Sequence, residues 1–234
     1  MNRRTFLAAN TGLLVSPKIQ KEWPKRFLFI GDSITDGNRG RNEDPNHILG
    51  HGYVFSIASR LGAKYPEKSL SFVNRGISGN TVIDLQNRWV EDCLKHQPEV
   101  LTIMVGINDF YFQVKEGRAD CTPQNYDKVY RELLTETKSK LLGVELVIMS
   151  PFLLPIGKAH GLLYESHGEL FEQYHEASKK VALDFGATFI DLQEMYLKEA
   201  RNPDYEYWIW DGIHPTYSGH ELLTQAWFEA TGYY

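Results

Sequence analysis

The sequence predicts a three-layer α/β/α protein built on a mostly parallel sheet of five strands. Three observations support this fold class: short apolar runs rich in Val, Ile, Leu and Phe, helical periodicity between them, and regular alternation of the two. Parallel strands need crossover helices, which cover both faces of the sheet. With 234 residues, 42% hydrophobic and 24% charged, the chain can bury a sizeable core.

Five apolar runs are the predicted strands. They occupy residues 27–31, 70–74, 100–105, 144–149 and 187–191. Runs of this length that lack a polar alternation are typical of strands buried on both faces. Ligands of such open sheets bind beyond the carboxyl ends of the strands, so the sequence positions that follow each run are the first places to seek a site.

Two helices carry clear terminal signals. The segment 123–142 starts with Thr122-Pro123, a favourable N-cap and first-turn pair. Its predicted buried face consists of Tyr126, Val129, Tyr130, Leu133, Leu134 and Leu141. The last helix is predicted to begin near Thr216 or Ser218, with Glu221 completing a capping box from Ser218. Its predicted buried residues are Leu222, Leu223, Ala226 and Trp227.

Residues 1–26 stand apart from the predicted globular domain, 27–234. Asn2-Arg3-Arg4-Thr5-Phe6-Leu7 is similar to a twin-arginine export signal, and a weakly apolar segment follows at 8–15. This pattern favours export to the periplasm or the exterior. No Ala-x-Ala cleavage site precedes Trp23, so an N-terminal extension of a cytoplasmic enzyme is the alternative.

Charge and hydropathy argue against two classes of partner. The formal net charge is −5, without a basic patch of the kind that binds nucleic acid, so no nucleic-acid partner is predicted. No stretch approaches the roughly 20 apolar residues that a membrane-spanning helix needs. The composition therefore favours a globular enzyme domain without a membrane span.

Four short segments carry side chains suited to acyl transfer. They are Gly31-Asp32-Ser33, Gly76-Ile77-Ser78-Gly79-Asn80, Gly106-Ile107-Asn108-Asp109 and Asp211-Gly212-Ile213-His214-Pro215. A serine nucleophile needs a base, a carboxylate that orients the base, and donors for the oxyanion. Each segment alone is an ordinary turn sequence. Together they supply every role, and the sequence therefore predicts a serine esterase.

Ser33 is the predicted nucleophile, because it follows the apolar run 27–30 and precedes the turn signal Asp36-Gly37. Asp211 and His214 are the predicted orienting acid and base. The Gly and Pro residues around them indicate a loop, which can supply both groups at a spacing of three residues. A helix-capping role is the alternative for His214.

Three groups are the predicted oxyanion donors. Gly79 lacks a Cβ, so its N–H can approach a tetrahedral intermediate closely. Asn108 follows an apolar run and offers its side-chain amide. The backbone N–H of Ser33 is the third donor. A turn glycine and a loop asparagine are the alternative interpretations of the first two.

The segments resemble the GDSL, or SGNH, hydrolase family. The matching sequences are Gly-Asp-Ser-Ile-Thr-Asp-Gly at 31–37, Ile-Ser-Gly-Asn-Thr at 77–81, Gly-Ile-Asn-Asp at 106–109 and Asp-x-x-His-Pro at 211–215. The four residues that name the family correspond to Ser33, Gly79, Asn108 and His214, with Asp211 as the triad carboxylate. The resemblance runs from about residue 27 to the C-terminus and implies a flavodoxin-like SGNH hydrolase fold.

Three sequence segments are similar to the acetylxylan-esterase branch of this family. They comprise Gly79-Asn80-Thr81-Val82-x-Asp84-Leu85-x-x-Arg88-Trp89, Met104-Val105-Gly106-Ile107-Asn108-Asp109 and Ser150-Pro151-Phe152. The resemblance implies that an acylated saccharide is the substrate and that acetate is removed from a xylan-type sugar. Asp32, Trp89 and Trp210 are the predicted substrate-binding residues. The two tryptophans are proposed because aromatic faces suit sugar rings. Core packing or a homo-oligomer contact is the alternative role of the aromatic residues.

Two other functions remain open from the sequence. One is a lysophospholipase or thioesterase that uses the same triad, and the other is a carbohydrate-binding protein without activity. No cofactor and no metal are predicted, because the eight histidines form no His-Glu-x-x-His pattern and no Cys-x-x-Cys pair is present. Whether Cys93 and Cys121 pair is left undecided by the sequence.

Overall fold

A computed structural model describes residues 23–199 and 204–233. Its centre is a parallel sheet of five strands in the order β2-β1-β3-β4-β5. The strands are β1 (Arg26–Gly31), β2 (Ser71–Gly76), β3 (Val100–Met104), β4 (Glu145–Met149) and β5 (Thr188–Ile190). The predicted α/β class and the five-stranded sheet are confirmed.

Helices connect successive strands and cover the sheet. They are α1 (Ser33–Asp36), α2 (Tyr53–Lys64), α3 (Val82–Asp92), α4 (Ile107–Glu116), α5 (Pro123–Lys140), α6 (Ser166–Phe185), α7 (Leu192–Glu199), α8 (Tyr205–Trp208) and α9 (Tyr217–Thr231). In the part of the chain that the structure describes, no helix combines the length and the apolar character that a bilayer crossing requires.

Alternation along the strands produces two cores, one on each face of the sheet. On β1, Leu28 and Ile30 belong to a core shared with α3, α5 and α6, whereas Phe27 and Phe29 belong to a core shared with α2, α7 and α9. All four side chains are buried. The two cores account for the three layers that the sequence predicts.

Strand β2 runs two residues further than its apolar run. Asn74, Arg75 and Gly76 continue the pairing with β1 opposite Phe29, Ile30 and Gly31. The buried amide of Asn74 donates hydrogen bonds to the carbonyls of Thr35 and Leu49, so its polar group is satisfied inside the fold. This extension brings β2 level with the end of β1.

Helix α5 has the N-terminus that the sequence predicts, with Thr122 accepting from the Asn125 N–H, and it ends at Lys140. In α9 the N-cap is Thr216, whose hydroxyl accepts from the Gly219 N–H. The predicted capping box from Ser218 to Glu221 is wrong, because the carboxylate of Glu221 contacts Arg60 and Ser56 of α2. The predicted export signal lies outside the described residues.

Candidate active site

Ser33 begins the short helix α1 directly beyond the carboxyl end of β1. Asp32 is the N-cap residue, and its Oδ1 accepts a hydrogen bond of 3.0 Å from the Ile34 N–H. The preceding Gly31 lies so close to β3 that an added Cβ would stand 2.1 Å from the Met104 carbonyl oxygen. Close strand packing therefore fixes the backbone immediately before Ser33.

Asp211 and His214 share one loop that an antiparallel bridge between Ile209 and Pro215 closes. Oδ1 of Asp211 accepts from the N–H groups of Ile213 and His214 at 3.0 and 2.7 Å. Oδ2 lies 2.8 Å from Nδ1 of His214. The carboxylate thus orders its own loop with one oxygen and orients the imidazole with the other.

The loop brings the imidazole to Ser33. Nε2 of His214 lies 2.9 Å from Oγ of Ser33, and both side chains are half-buried. Since Nδ1–H donates to Asp211, Nε2 carries the lone pair and can accept a hydrogen bond from the Ser33 hydroxyl. The structure therefore joins Asp211, His214 and Ser33 in one chain of hydrogen bonds, which is the arrangement that can activate a hydroxyl.

The electrostatics suit this proton transfer. The hydrogen bond that His214 donates to Asp211 raises the pKa of His214, and this increase exceeds the opposing effect of burial. Burial also raises the pKa of Asp211, but the hydrogen bonds from His214 and Ile213 outweigh it, so this pKa lies below its usual value. The aspartate is consequently ionised at neutral pH and can stabilise an imidazolium.

The two other predicted oxyanion residues lie next to each other. Nδ2 of Asn108, the second residue of α4, donates to the Asn80 carbonyl at 3.1 Å. This bond uses one of the two hydrogens of the Asn108 NH₂ group, and the second hydrogen is the one that could donate to an oxyanion. Gly79 is exposed and has a φ of +84°, while space for a Cβ is open around it. The positive φ is a backbone conformation that favours glycine. The close approach of an intermediate to the Gly79 N–H stays a prediction.

Two buried carboxylates hold the segment 76–82, which we call the oxyanion loop. Asp36 accepts from the Ser78 N–H at 3.0 Å and forms a two-pronged ion pair with Arg41. Asp109 accepts from the Val82 N–H at 3.1 and 3.2 Å. Both roles were missed in the sequence analysis, which interpreted Asp36 only as part of a turn. The signal that could have found them is that Asp36 and Asp109 lie inside the segments 31–37 and 106–109 that match the family.

Asp32 is not exposed in the way that its predicted contact with substrate requires. It is only 1% exposed, and burial raises its pKa to about 7. Its charge is felt by His214, whose pKa it helps to raise. The prediction that Asp32 binds substrate directly is therefore contradicted, because the carboxyl group lies under the site and not on its surface.

The two tryptophans have opposite positions. Trp89 of α3 is 1% exposed in the core, where its Nε1–H donates to Thr137 Oγ1 at 3.0 Å, so its predicted contact with substrate is wrong. Trp210 is 58% exposed and its ring stacks on His214, with centroids 6.1 Å apart and planes at 25°. Of these two tryptophans, Trp210 is the one that presents an aromatic face beside His214.

Metal-binding residue types meet at one place in the described part of the chain. Glu172, His175 and Glu176 lie together on α6, and Nε2 of His175 is 3.0 Å from Asp191 Oδ1. This group is separate from the three hydrogen-bonded residues Ser33, His214 and Asp211. Cys93 and Cys121 are both buried and free.

Comparisons with known proteins agree with this fold. The model of the GDSL-like lipase/acylhydrolase family matches residues 29–222. The acetylxylan esterase of Geobacillus stearothermophilus is 34% identical over 216 residues, covering 89% of this chain and 94% of that protein. Its crystal structure superimposes with a TM-score of 0.77 at the same coverage.

Two further crystal structures are similar over most of their length. A GDSL-like lipase from Parabacteroides merdae has a TM-score of 0.84 at 34% identity, covering 89% of this chain and 95% of that one. An α/β hydrolase enzyme from the Lake Arreo metagenome has a TM-score of 0.77 at 30% identity, with the same two coverages.

Fold, family match and relatives together define the protein as a carboxylic ester hydrolase of the α/β class. The chain belongs to the GDSL-like lipase/acylhydrolase family. The resemblance to SGNH hydrolases, predicted from four short segments, and the resemblance to their acetylxylan-esterase branch, predicted from residues 79–89, 104–109 and 150–152, are confirmed.

Proposed function

We propose that this esterase removes acetyl groups from an acylated saccharide, of which acetylated xylan or its oligosaccharides are the preferred class. The observation that carries the catalytic part is the continuous chain of hydrogen bonds from Asp211 through His214 to Ser33. A binding protein has no need of this chain, and its completeness favours an active enzyme.

In the proposed mechanism, Oγ of Ser33 attacks the ester carbonyl while Nε2 of His214 takes its proton. Asp211 keeps Nδ1 protonated and stabilises the imidazolium. The oxyanion is stabilised by the N–H groups of Ser33 and Gly79 and by the side-chain amide of Asn108. His214 then returns the proton to the leaving sugar hydroxyl, and water repeats the sequence on the acyl-enzyme to release acetate.

Support for these roles comes from the relative. Crystal structures of catalytic variants of the Geobacillus stearothermophilus esterase, in which a serine or an aspartate is replaced by alanine, superimpose on this chain with TM-scores of 0.77 and 0.78. A serine and an aspartate thus have catalytic importance in that protein. Ser33 and Asp211 are the hydrogen-bonded serine and aspartate of this chain.

The acyl and sugar preferences rest on the surroundings of the base. Trp210 offers an exposed ring next to His214, which suits the C–H face of a sugar. Tyr207 is half exposed and packs edge-on against Trp208, adding bulk on the same segment. The bulk of these rings beside His214 favours a short acyl group. The relative from Geobacillus stearothermophilus is an acetylxylan esterase.

The deciding experiment is a chain-length profile of the purified protein from acetyl to dodecanoyl esters, paired with acetate release from acetylated xylo-oligosaccharides. We expect acetyl esters to be cleaved far faster than octanoyl esters, with acetate released from the oligosaccharides. Equal or faster turnover of long-chain esters would assign the protein to the lysophospholipase or thioesterase class. No hydrolysis of any ester would support a binding protein.

A further inference from the structure

We propose that an arginine-lined groove beside the oxyanion loop binds the carboxylate of an acidic sugar, such as a uronic acid branch on the saccharide that carries the acetyl group. The groove has a volume of about 560 Å³ and follows the outer edge of β2. Its identification as a substrate subsite rests on the proposed function. Its capacity to bind an acidic saccharide does not.

Three guanidinium groups line the groove. Arg39 and Arg41 come from the turn after α1, and Arg75 comes from β2. Cavities of this volume accommodate small ligands, and a single sugar ring lies well within that range. Apolar side chains of Ile48, Leu49 and Phe72 also line the groove and offer surfaces for ring C–H groups, and polar lining residues include Asn42, Asp92 and His96.

The charges in the groove are not balanced. Arg41 is neutralised by Asp36, and Asp92 is shared between Arg88 at 2.8 Å and Arg75 at 3.8 Å. Among the described residues, Arg39 forms no ion pair with a carboxylate, although the charges of Asp36 and Asp92 act on it from a greater distance. Its Nε donates to the Gly76 carbonyl. Glu43 is the remaining carboxylate of the lining and is exposed.

Arg39 is also partly withdrawn from water. Burial is the largest influence and, together with the nearby charges of Arg41 and Arg75, lowers the pKa of Arg39 to about 10 against the opposing charges of Asp36 and Asp92. A bound anion would relieve both effects, because it replaces lost solvation and offsets the repulsion between the guanidinium groups. A carboxylate fits best, since the planar fork of arginine binds it with two parallel hydrogen bonds.

The groove adjoins the reacting centre through the chain itself. Ile77 lines it, and Gly79 follows two residues later. On the other side, Arg39 follows the turn at Asp36-Gly37, which ends the helix that Ser33 begins. The proposed binding mode places the acetyl group at Ser33 and a neighbouring acidic branch in the groove.

The test compares three substrates: an acetylated xylo-oligosaccharide with a glucuronosyl branch, the same compound with its carboxyl group reduced to an alcohol, and the unbranched compound. We expect the wild-type protein to cleave the acidic compound with a kcat/KM roughly tenfold above that of its reduced form. Arg75→Gln should bring this ratio close to one and change kcat/KM for the unbranched compound little. Arg39→Gln should also bring the ratio close to one, but with a lower kcat/KM for all three compounds, because the Nε of Arg39 donates to the Gly76 carbonyl of the oxyanion loop.

Arg131→Gln is the matched control, because it removes one positive charge from α5, outside the groove. It should preserve the wild-type ratio. A ratio near one in the wild-type protein, or a ratio kept by both groove variants, would overturn the proposal. The side chain of Arg75 contacts His96 and Asp92 and not the oxyanion loop, so its variant separates binding from damage to the catalytic site.

A binding measurement separates this proposal from the proposed function. Ser33→Ala protein is titrated with a deacetylated glucuronosyl xylo-oligosaccharide and with its carboxyl-reduced form. Preferential binding of the acid that Arg75→Gln abolishes supports the groove even if no acetate release is ever detected. Acetate release without a preference for the acid would support the proposed function and would reject the proposal that the groove binds a carboxylate.

Discussion

The imidazole of His214 reaches Oγ of Ser33 at 2.9 Å although 181 residues separate the two side chains. Ser33 stands beyond the carboxyl end of β1, at the start of α1, and His214 lies in a loop stabilised by its own hydrogen bonds to Asp211. Two locally ordered segments thus meet in one contact. Because this contact pairs the proposed nucleophile with its base, we expect activity to depend on both side chains.

Replacing Ser33 with alanine should abolish most ester hydrolysis and leave folding intact. The hydroxyl is half-buried and contributes little to the core, whereas the nucleophile it supplies is indispensable to acyl transfer. We expect kcat to fall by several orders of magnitude with an unchanged unfolding midpoint. A serine-reactive phosphonate should label Ser33 in the wild-type protein, and labelling of another residue would refute the assignment.

The pH dependence of kcat/KM should report His214. Only neutral imidazole can act as the base, and its pKa is raised, so activity should rise with pH through an inflection above 6.5. Asp211→Asn removes the main cause of the raised pKa, and the inflection should move to lower pH while kcat falls. An inflection that stays in place in this variant would show that another group controls the acid limb.

Asn108→Ala should lower kcat by about 10²- to 10³-fold, the usual cost of one lost oxyanion donor. The effect should appear in the acylation rate, since the amide interacts more strongly with the transition state than with the bound ester. Asn87→Ala, an exposed position on α3, is the control and should behave like the wild-type protein. A change confined to KM would argue for a role in ground-state binding.

Asp32→Asn should change the pH dependence of stability. The folded-state pKa of Asp32 is about 7 and its ordinary value is 3.8, so the folded protein binds a proton that the unfolded chain releases. Stability therefore falls as pH rises from 3.8 to about 7, by on the order of 4 kcal/mol at most. The amide retains the oxygen that accepts from Ile34 and has no charge to bury.

Urea unfolding at pH 5 and pH 8 measures this effect. The free energy of unfolding of Asp32→Asn, relative to that of the wild-type protein, should be higher at pH 8 than at pH 5. The control Glu229→Gln, at an exposed position of α9, should show no such difference. Parallel curves for Asp32→Asn and the wild-type protein would mean that Asp32 is already ionised throughout.

Trp210→Ala should relax the acyl-chain limit. We propose that the ring beside His214 narrows the acyl site. Its removal should then raise the turnover of butanoyl and octanoyl esters relative to that of acetyl esters. The expected change corresponds to the roughly 1–3 kcal/mol by which a pocket discriminates one methylene group. Tyr217→Ala is a suitable control because Tyr217 is 84% exposed. An unchanged ratio would restrict Trp210 to sugar binding.

The sequence by itself determined the features that depend on neighbours along the chain. The apolar runs specified the strands, Thr122-Pro123 specified the start of α5, and the spacing of Asp211 and His214 allowed one loop to supply both groups. These features rest on hydrogen bonds over three or four residues and on burial that follows a regular period. The family resemblance then named the residues that should meet.

Tertiary packing alone decided which of these residues are accessible. Trp89 and Trp210 look equivalent in the sequence, but α3 turns the first into the core while the loop before His214 leaves the second in solvent. Likewise, Asp32 is buried, Asp36 holds the Ser78 N–H, and Arg39 lacks a carboxylate partner among the described residues. Exposure and charge balance depend on elements that are distant in the chain, so no local pattern encodes them.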